Sequence, residues 1–359
     1  MGFIPQYEPF FDESEAKALY EYMRSGGWVT EFKKTQEFEK LISEFTGARH
    51  CIVTNNCTIS LTMALLAAGI KSGDEVLVPD MTMIATPNSC KIFGAEPVLV
   101  DVEPDTLCMD LNSANSCITE RTRALIYVSL HGRCGDMEQV KAFCQSHNLF
   151  FLEDAAQAFG SYYSSKHLGR YGDIGTFSFS MPKTITTGQG GAIITDNDDY
   201  AGKIARLKDF GRIRGGIDIH DTIGYNFKFT DIQAVIGIEQ MRKLAERINR
   251  KREIYALYVQ KLHNIEGVRM LPTDLAQTTP WFVDIYVDKP DEMSTWLKEK
   301  GIGTRRMYPA VHTQCAYNVS AYCPNAELAA KQGLWLPSSV QLEEKQIDMV
   351  VENIVEFFK

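Results

Sequence analysis

Residues 149–196 read LFFLEDAAQAFGSYYSSKHLGRYGDIGTFSFSMPKTITTGQGGAIITD. Three short apolar runs stand out in it: LFFLED (149–154), GTFSFS (175–180) and GAIITD (191–196). Runs of this length, bounded by turn formers and lacking polar alternation, predict strands covered on both faces. The first run ends on a carboxylate, Asp154. Between the second and third lies a turn that carries Lys183 among small polar residues: Ser178, Ser180, Thr184, Thr186, Thr187 and Gly188. Such a segment bends tightly and lets the backbone approach a ligand.

Working outward, the same grammar recurs. CIVT (51–54), EVLVP (75–79), PVLVD (97–101) and ALIYVSL (124–130) are further strand-like runs, making seven in all. Helical periodicity falls between most of them, at 58–69, 82–93 and 136–147, and before them at 14–25 and 35–46. Strands alternating with helices imply a mainly parallel, wound α/β sheet. After Thr230 the pattern changes. Residues 230–262 read as one long helix, followed by strand-like WFVDIYV (281–287), a helix at 291–300 and a final helix at 343–358. We therefore expect a large unit over 1–250, with an N-terminal helical segment, and a smaller C-terminal α/β unit over 251–359. A chain of 359 residues exceeds what one core usually serves.

Composition narrows the function classes. A net charge of −9 argues against general affinity for nucleic acid or an anionic membrane, though not against a local phosphate pocket. The nine cysteines show no CxxC pair and no zinc spacing, so they read as buried thiols in a reducing compartment, and no metal is expected. The first residues lack a basic segment followed by an apolar run, and no stretch approaches a membrane span. The expected location is cytoplasmic.

The chemistry lies in three pieces. Lysine amines form Schiff bases with carbonyl compounds, and pyridoxal phosphate is their commonest such cofactor. Asp154 falls at the carboxyl end of a strand, where open α/β sheets bind ligands. Its charge suits the pyridine nitrogen of that cofactor, and Gln157 could reach the ring hydroxyl. In TNNCTISLTMALLAAGI (54–70), small polar residues lead into an apolar helix whose free N–H groups and dipole suit a phosphate, with Ser178 a further hydroxyl. Taken singly, Asp154 also reads as a helix cap, residues 55–58 as an ordinary helix start, and Lys183 as a surface lysine. Their order and spacing together single them out.

In that order the chain resembles the DegT/DnrJ/EryC1/StrS aminotransferases, sugar-nucleotide members of the fold-type I pyridoxal-phosphate enzymes. The resemblance runs through GGWVTEFKKTQEFEKLISEFTGARHCIVTNNCT (26–58), DEVLVPDMTMIATPNSCKIFGAEPVLVDVEPDT (74–106), EDAAQAFGS (153–161), GDIGTFSFSMPKTITTGQGGAIIT (172–195), GYNFKFTDIQAVIGIEQM (224–241), GIGTRRMYPAVHTQCAY (301–317) and LWLPSS (334–339). It implies an aspartate-aminotransferase-like fold: a mainly parallel seven-stranded sheet with a smaller C-terminal domain, assembled as a homodimer with shared active sites. It implies Lys183 as the Schiff-base lysine, Asp154 at the ring nitrogen and Gln157 at the ring hydroxyl. Cys57, Thr58 and Ser178 match phosphate positions. Met83 stands where relatives often stack an aromatic side chain on the ring. Asn226 and Lys228 match a segment that reaches the neighbouring subunit's cofactor phosphate, and the sequence does not choose between them.

The implied reaction is transamination of a nucleotide-diphosphate keto-sugar with L-glutamate as donor, leaving 2-oxoglutarate and passing through pyridoxamine phosphate. TITTGQGG and LHGRCGDM lean towards relatives that aminate C4 of a 4-keto-6-deoxyhexose, as in perosamine synthesis, in the usual setting of O-antigen or other surface-glycan synthesis. Arg212, Arg214, Arg305 and Arg306 are candidates to meet the diphosphate. Tyr308 and His312 match substrate-side positions, and His131 and Arg133, following a strand end, are placed there too. Two other readings stand beside this one: a sugar dehydratase or lyase on the same scaffold, and a non-catalytic cofactor-binding regulator. Dehydratase relatives carry histidine at the lysine position; this chain has Lys183.

Overall fold

The computed structural model describes residues 2–317 and 319–359. Its central sheet comprises β1 (His50–Thr54), β2 (Glu75–Pro79), β3 (Glu96–Val100), β4 (Thr122–Val128) and β5 (Phe150–Asp154), then, after a short hairpin of β6 (Tyr162–Tyr163) and β7 (Lys166–His167), β8 (Ile174–Ser178) and β9 (Gly191–Thr195). The spatial order is β1-β9-β8-β5-β4-β2-β3. The contacts from β8 through β5, β4 and β2 to β3 are parallel, whereas β9 runs antiparallel to both its neighbours. Every residue of β2, β8 and β9 is buried, which explains why apolar residues prevail in them; the polar exceptions are Glu75, Thr176, Ser178 and Thr195.

Helices cover both faces of this sheet. Helix Cys57–Ala67 lies deepest, with Leu61, Met63, Ala64 and Leu65 all buried. Its start is fixed by Asn56, whose side-chain oxygen accepts the N–H of Ile59 at 3.0 Å. Gly191 opens β9 directly against that start: a Cβ there would lie 2.6 Å from the carbonyl carbon of Asn56, so no other residue lets strand and helix meet so closely.

The expected single helix over 230–262 is instead two, Asp231–Arg242 and Leu244–Leu262. The break falls at Lys243, whose amine is drawn to Asp12 at 2.7 Å and Glu15 at 2.8 Å. Long-range ion pairs of this kind leave no Pro or Gly mark for periodicity to register.

The second sheet is small and antiparallel, in the order β10 (Val283–Tyr286), β12 (Gly333–Leu336), β11 (Arg305–Arg306). Helices Leu244–Leu262 and Glu344–Phe357 pack on it around Tyr258, Ile285, Leu336 and Ile347. The N-terminal arm joins this unit. Ile4 is buried there and exchanges backbone hydrogen bonds with Gly301 and Gly303 at 2.9 and 2.7 Å. No helix among the described residues is long and apolar enough to cross a membrane.

Candidate active site

At the carboxyl ends of β5 and β8 lies a cavity of about 700 Å³, lined among others by Cys57, Thr58, Thr86, Asp154, Gln157 and Lys183. Met83 and Ser178 also line it, as do Pro9 and Phe11 from the N-terminal arm. Seven of the expected cofactor residues, distant in sequence, thus share one cavity.

Lys183 sits in the turn after β8. Its backbone N–H donates to Ser180 at 3.1 Å and its carbonyl accepts the Tyr7 hydroxyl at 2.9 Å. Burial pushes the amine down to about 8, against the opposing pull of Cys57 and Asp154. An amine so placed is a usable nucleophile and base near neutral pH.

Asp154 closes β5 and is 5% exposed. One carboxylate oxygen accepts the Thr86 hydroxyl at 2.7 Å, and the other the N–H of Ala156 at 3.1 Å. Burial still raises its pKa, so among its neighbours the carboxylate lacks a full counter-charge. Thr86 in turn touches the Thr82 hydroxyl at 3.0 Å. Gln157 accepts the backbone N–H of His131 at 2.9 Å through Oε1, which fixes its amide orientation and leaves Nε2 as a donor.

The start of helix Cys57–Ala67 completes the site. Asn56 satisfies Ile59 and Ser60, and among the described residues the N–H groups of Cys57 and Thr58 have no acceptor. Two free N–H groups, the helix dipole and the hydroxyls of Thr58, Ser178 and Ser180 form an anion cradle. Cradle, under-compensated carboxylate and desolvated amine are the donor set that a phosphorylated pyridine aldehyde requires, so these residues fit pyridoxal phosphate. Met83, 44% exposed, lies at the cavity mouth.

Other expected residues lie elsewhere. His131 and Arg133 are withdrawn from the cavity, a correction to their placement on the substrate. His131 adopts a left-handed conformation (φ 56°), and both side chains are buried. The His131 ring accepts the Trp335 indole N–H at 3.3 Å, and burial lowers it to about 3, so it is neutral. Arg133 forms a buried two-pronged pair with Asp284, at 3.1 and 2.7 Å. Arg212 is held by Asp209 and Asp218, both at 2.8 Å, in the projecting segment 209–228. Arg214 is exposed in that segment, and Arg306 bonds carbonyls at the end of helix Pro324–Gln332. Arg305 lies over Trp335 at 5.4 Å, and Tyr308 meets the same ring edge-on at 4.9 Å. His312 is committed to Asp80, through Nδ1 at 2.6 Å and its backbone N–H at 2.8 Å. Asn226 is exposed and Lys228 pairs with Asp209 at 2.7 Å; neither lines the cavity of its own chain.

Three participants were not singled out from sequence. Thr86 and Thr82 carried a readable signal, two hydroxyls four apart in DMTMIAT. Trp281 carried none: it lies in the bend before β10, nearly a hundred residues after the lysine it contacts.

Comparison with known proteins agrees with this geometry. The model of the DegT/DnrJ/EryC1/StrS aminotransferase family matches residues 9–355. The GDP-perosamine synthase of Escherichia coli O157:H7 is 36% identical over 362 residues, covering 100% of this chain and 99% of the relative. Among solved structures, DesI in the presence of its TDP-sugar product superposes with a TM-score of 0.90 at 28% identity, over 99% of this chain and 92% of the other. NtdA from Bacillus subtilis with bound cofactor PMP gives a TM-score of 0.88 at 27% identity, over 96% and 82%.

Proposed function

The chain belongs to the DegT/DnrJ/EryC1/StrS aminotransferase family of pyridoxal-phosphate-dependent sugar aminotransferases, and from that premise we propose that it transfers the amino group of L-glutamate to C4 of a nucleotide-linked 4-keto-6-deoxyhexose. The observation that carries this reading is the meeting of a desolvated Lys183 amine and a buried Asp154 carboxylate beside a helix start whose Cys57 and Thr58 N–H groups are free. The relative's name supports a GDP-linked sugar and a C4 amine. The setting that follows is cytoplasmic synthesis of surface glycans such as O-antigen.

Pyridoxal phosphate, when bound, supplies an electron-withdrawing ring that stabilises negative charge on the carbon next to the transferred nitrogen. The chain's own residues do the rest. The N–H groups of Cys57 and Thr58, with Ser178, hold the phosphate. Asp154, oriented by Thr86 and Ala156, keeps the ring nitrogen charged. Gln157, its Oε1 taken by His131, would offer Nε2 to the ring hydroxyl, and Met83 at the cavity mouth would cover a ring face. Lys183, titrating at about 8, accepts and returns the migrating proton at its Nζ.

The assembly that supports this is a homodimer. Segment 209–228 projects with Ile213, Ile219 and Ile223 at 47%, 58% and 75% exposure, an apolar edge suited to a second copy. In that pairing Asn226 or Lys228 serves the partner's phosphate. Tyr308 and Arg305 remain on the substrate side.

The test is the visible absorption of the purified protein. L-Glutamate should bleach the band of the lysine-bound cofactor, and a GDP-linked 4-keto-6-deoxyhexose should restore it. Absence of the band after adding pyridoxal phosphate would overturn the reading; bleaching restored only by a 3-keto sugar would overturn the C4 assignment.

A further inference from the structure

We infer that the indole face of Trp281 is the resting platform of the Lys183 amine, making Trp281 a positioning residue for the proton-carrying group. The inference rests on the reading of Lys183 as the reactive amine and adds what holds that amine when it is free.

The Lys183 Nζ lies 4.3 Å from the centre of the Trp281 ring. Among the described residues it has no hydrogen-bond acceptor and no ion-pair partner. The ring is fixed on every side. Its N–H donates to the carbonyl of Pro182, the residue before the lysine. It stacks on Phe282 with centroids 3.8 Å apart and meets Trp335 nearly edge-on at 5.6 Å. Its backbone is held as well: the N–H donates to His131 at 3.3 Å, and the carbonyl accepts the Lys251 amine at 2.6 Å. A ring so restrained cannot follow the lysine; the lysine must come to rest on it.

The choice of surface has a chemical consequence. A carboxylate beside the free amine would hold its proton and slow its return to substrate. An aromatic face attracts the cation without accepting a directed hydrogen bond, so it steadies the amine while leaving its lone pair free when the proton departs. The charged and titratable groups around the amine are few. Asp154 on β5 and Cys57 at the helix start favour the ammonium form, and burial opposes it. His131 after β4 is neutral. The Tyr7 hydroxyl bonds the Lys183 carbonyl, and Arg247 and Lys251 bond the carbonyls of Thr184 and Trp281. None of these contacts passes through the indole ring, and Phe and Leu both lose its bond to Pro182, so the comparison between those two substitutions isolates the face.

The experiment compares Trp281→Phe with Trp281→Leu in the full-length protein loaded with pyridoxamine phosphate, the form in which Lys183 is unbonded. Leu leaves a larger void than Phe, and water entering it would raise the midpoint rather than lower it; only Phe keeps a π face. Trace acetylation with acetic anhydride across pH, read by mass spectrometry at Lys183, gives its titration midpoint. The midpoint in the Leu variant should lie below that in the Phe variant by about half a unit. Coincident midpoints, or a higher one in the Leu variant, overturn the inference while leaving the functional reading intact. A wild-type Lys183 that titrates with the exposed lysines would instead remove the functional reading. Should either variant fail to fold, the wild-type protein serves: tryptophan emission should show a transition near pH 8 that Lys183→Met lacks. Persistence of that transition in Lys183→Met overturns the inference.

Discussion

Replacing Arg133 by Leu tests where this arginine acts. Its two hydrogen bonds to Asp284, at 3.1 and 2.7 Å, lie between side chains that are 4% and 0% exposed. Without Arg133, Asp284 keeps one donor, the Tyr286 hydroxyl at 2.9 Å. Removing one partner of a buried pair costs about 3–5 kcal/mol. A second route gives the same size: keeping a carboxyl of ordinary pKa ~3.9 neutral at pH 7 costs about 4 kcal/mol, at 1.36 kcal/mol per unit. In the wild type the pairing depresses the Asp284 pKa, so its contribution is present above the ordinary carboxylate range and lost only in strong acid. In the variant the sign reverses. The folded-state pKa is then raised, so the deficit is smallest in acid and grows by about 1.4 kcal/mol per pH unit from pH 5 to pH 7. Urea unfolding of the cofactor-loaded protein at both pH values measures it, with Trp281 and Trp335 as nearby reporters. Arg133→Leu combined with Asp284→Leu should recover most of the loss, because an apolar replacement of both partners removes the uncompensated charge. A deficit under about 1 kcal/mol at pH 7, with a raised KM for the nucleotide sugar, would refute the buried-pair argument and return Arg133 to the substrate.

Lys183→Ala should abolish transamination while circular dichroism and gel filtration match the wild type; activity in that variant would sink the assignment. Thr86→Val removes the donor to Asp154 and should lower kcat about tenfold, equivalent to one charge-assisted hydrogen bond, with little change in KM for the sugar. His167 is buried, accepts the Gly160 N–H at 3.0 Å and is lowered from 6.5 to about 4. A depressed imidazole gives stability that is full above pH 6.5 and lost as pH falls towards 4, about 3 kcal/mol in all, so His167→Gln should flatten that acid limb of the unfolding midpoint. Mixing inactive Lys183→Ala and Lys228→Ala chains should restore about a quarter of wild-type activity if sites are shared, since half the dimers are mixed and each has one intact site. The same mixture with Asn226→Ala tells which residue reaches across.

The parts of the fold that could be read from sequence are those whose physics is local. All seven strands of the main sheet announced themselves as short, largely apolar runs between turn formers, most plainly where both faces are covered, as in β2. The direction of β9 did not, since burial of both faces is the same for a parallel and an antiparallel neighbour. Two-residue β11 is too short for any period, and β12, GLWL, follows helix Pro324–Gln332 with no loop between them. The break at Lys243 is made by acids on the first helix, more than two hundred residues away. At the site, Lys183, Asp154 and Gln157 were legible because they lie at the ends of adjacent strands. His131 and Arg133 also follow a strand end, but their side chains are taken by Trp335 and Asp284, which arrive from the second sheet. Trp281 follows from tertiary packing alone.

The N-terminal arm has a consequence for the order of synthesis. Tyr7, made among the first residues, anchors the carbonyl of Lys183, and Gln6 accepts a backbone bond from Ser338. Ile4 pairs with Ile302, and the ring beneath the lysine belongs to residue 281. A ribosome therefore delivers Tyr7 176 residues before Lys183, and Ile4 still longer before Ile302. The main sheet can close once β9 has emerged, but the ring beneath the lysine is not yet made. Until Gly301 and Gly303 follow, Ile4 has nowhere to dock, so a chain halted before them can hold a folded sheet and still lack the docked arm.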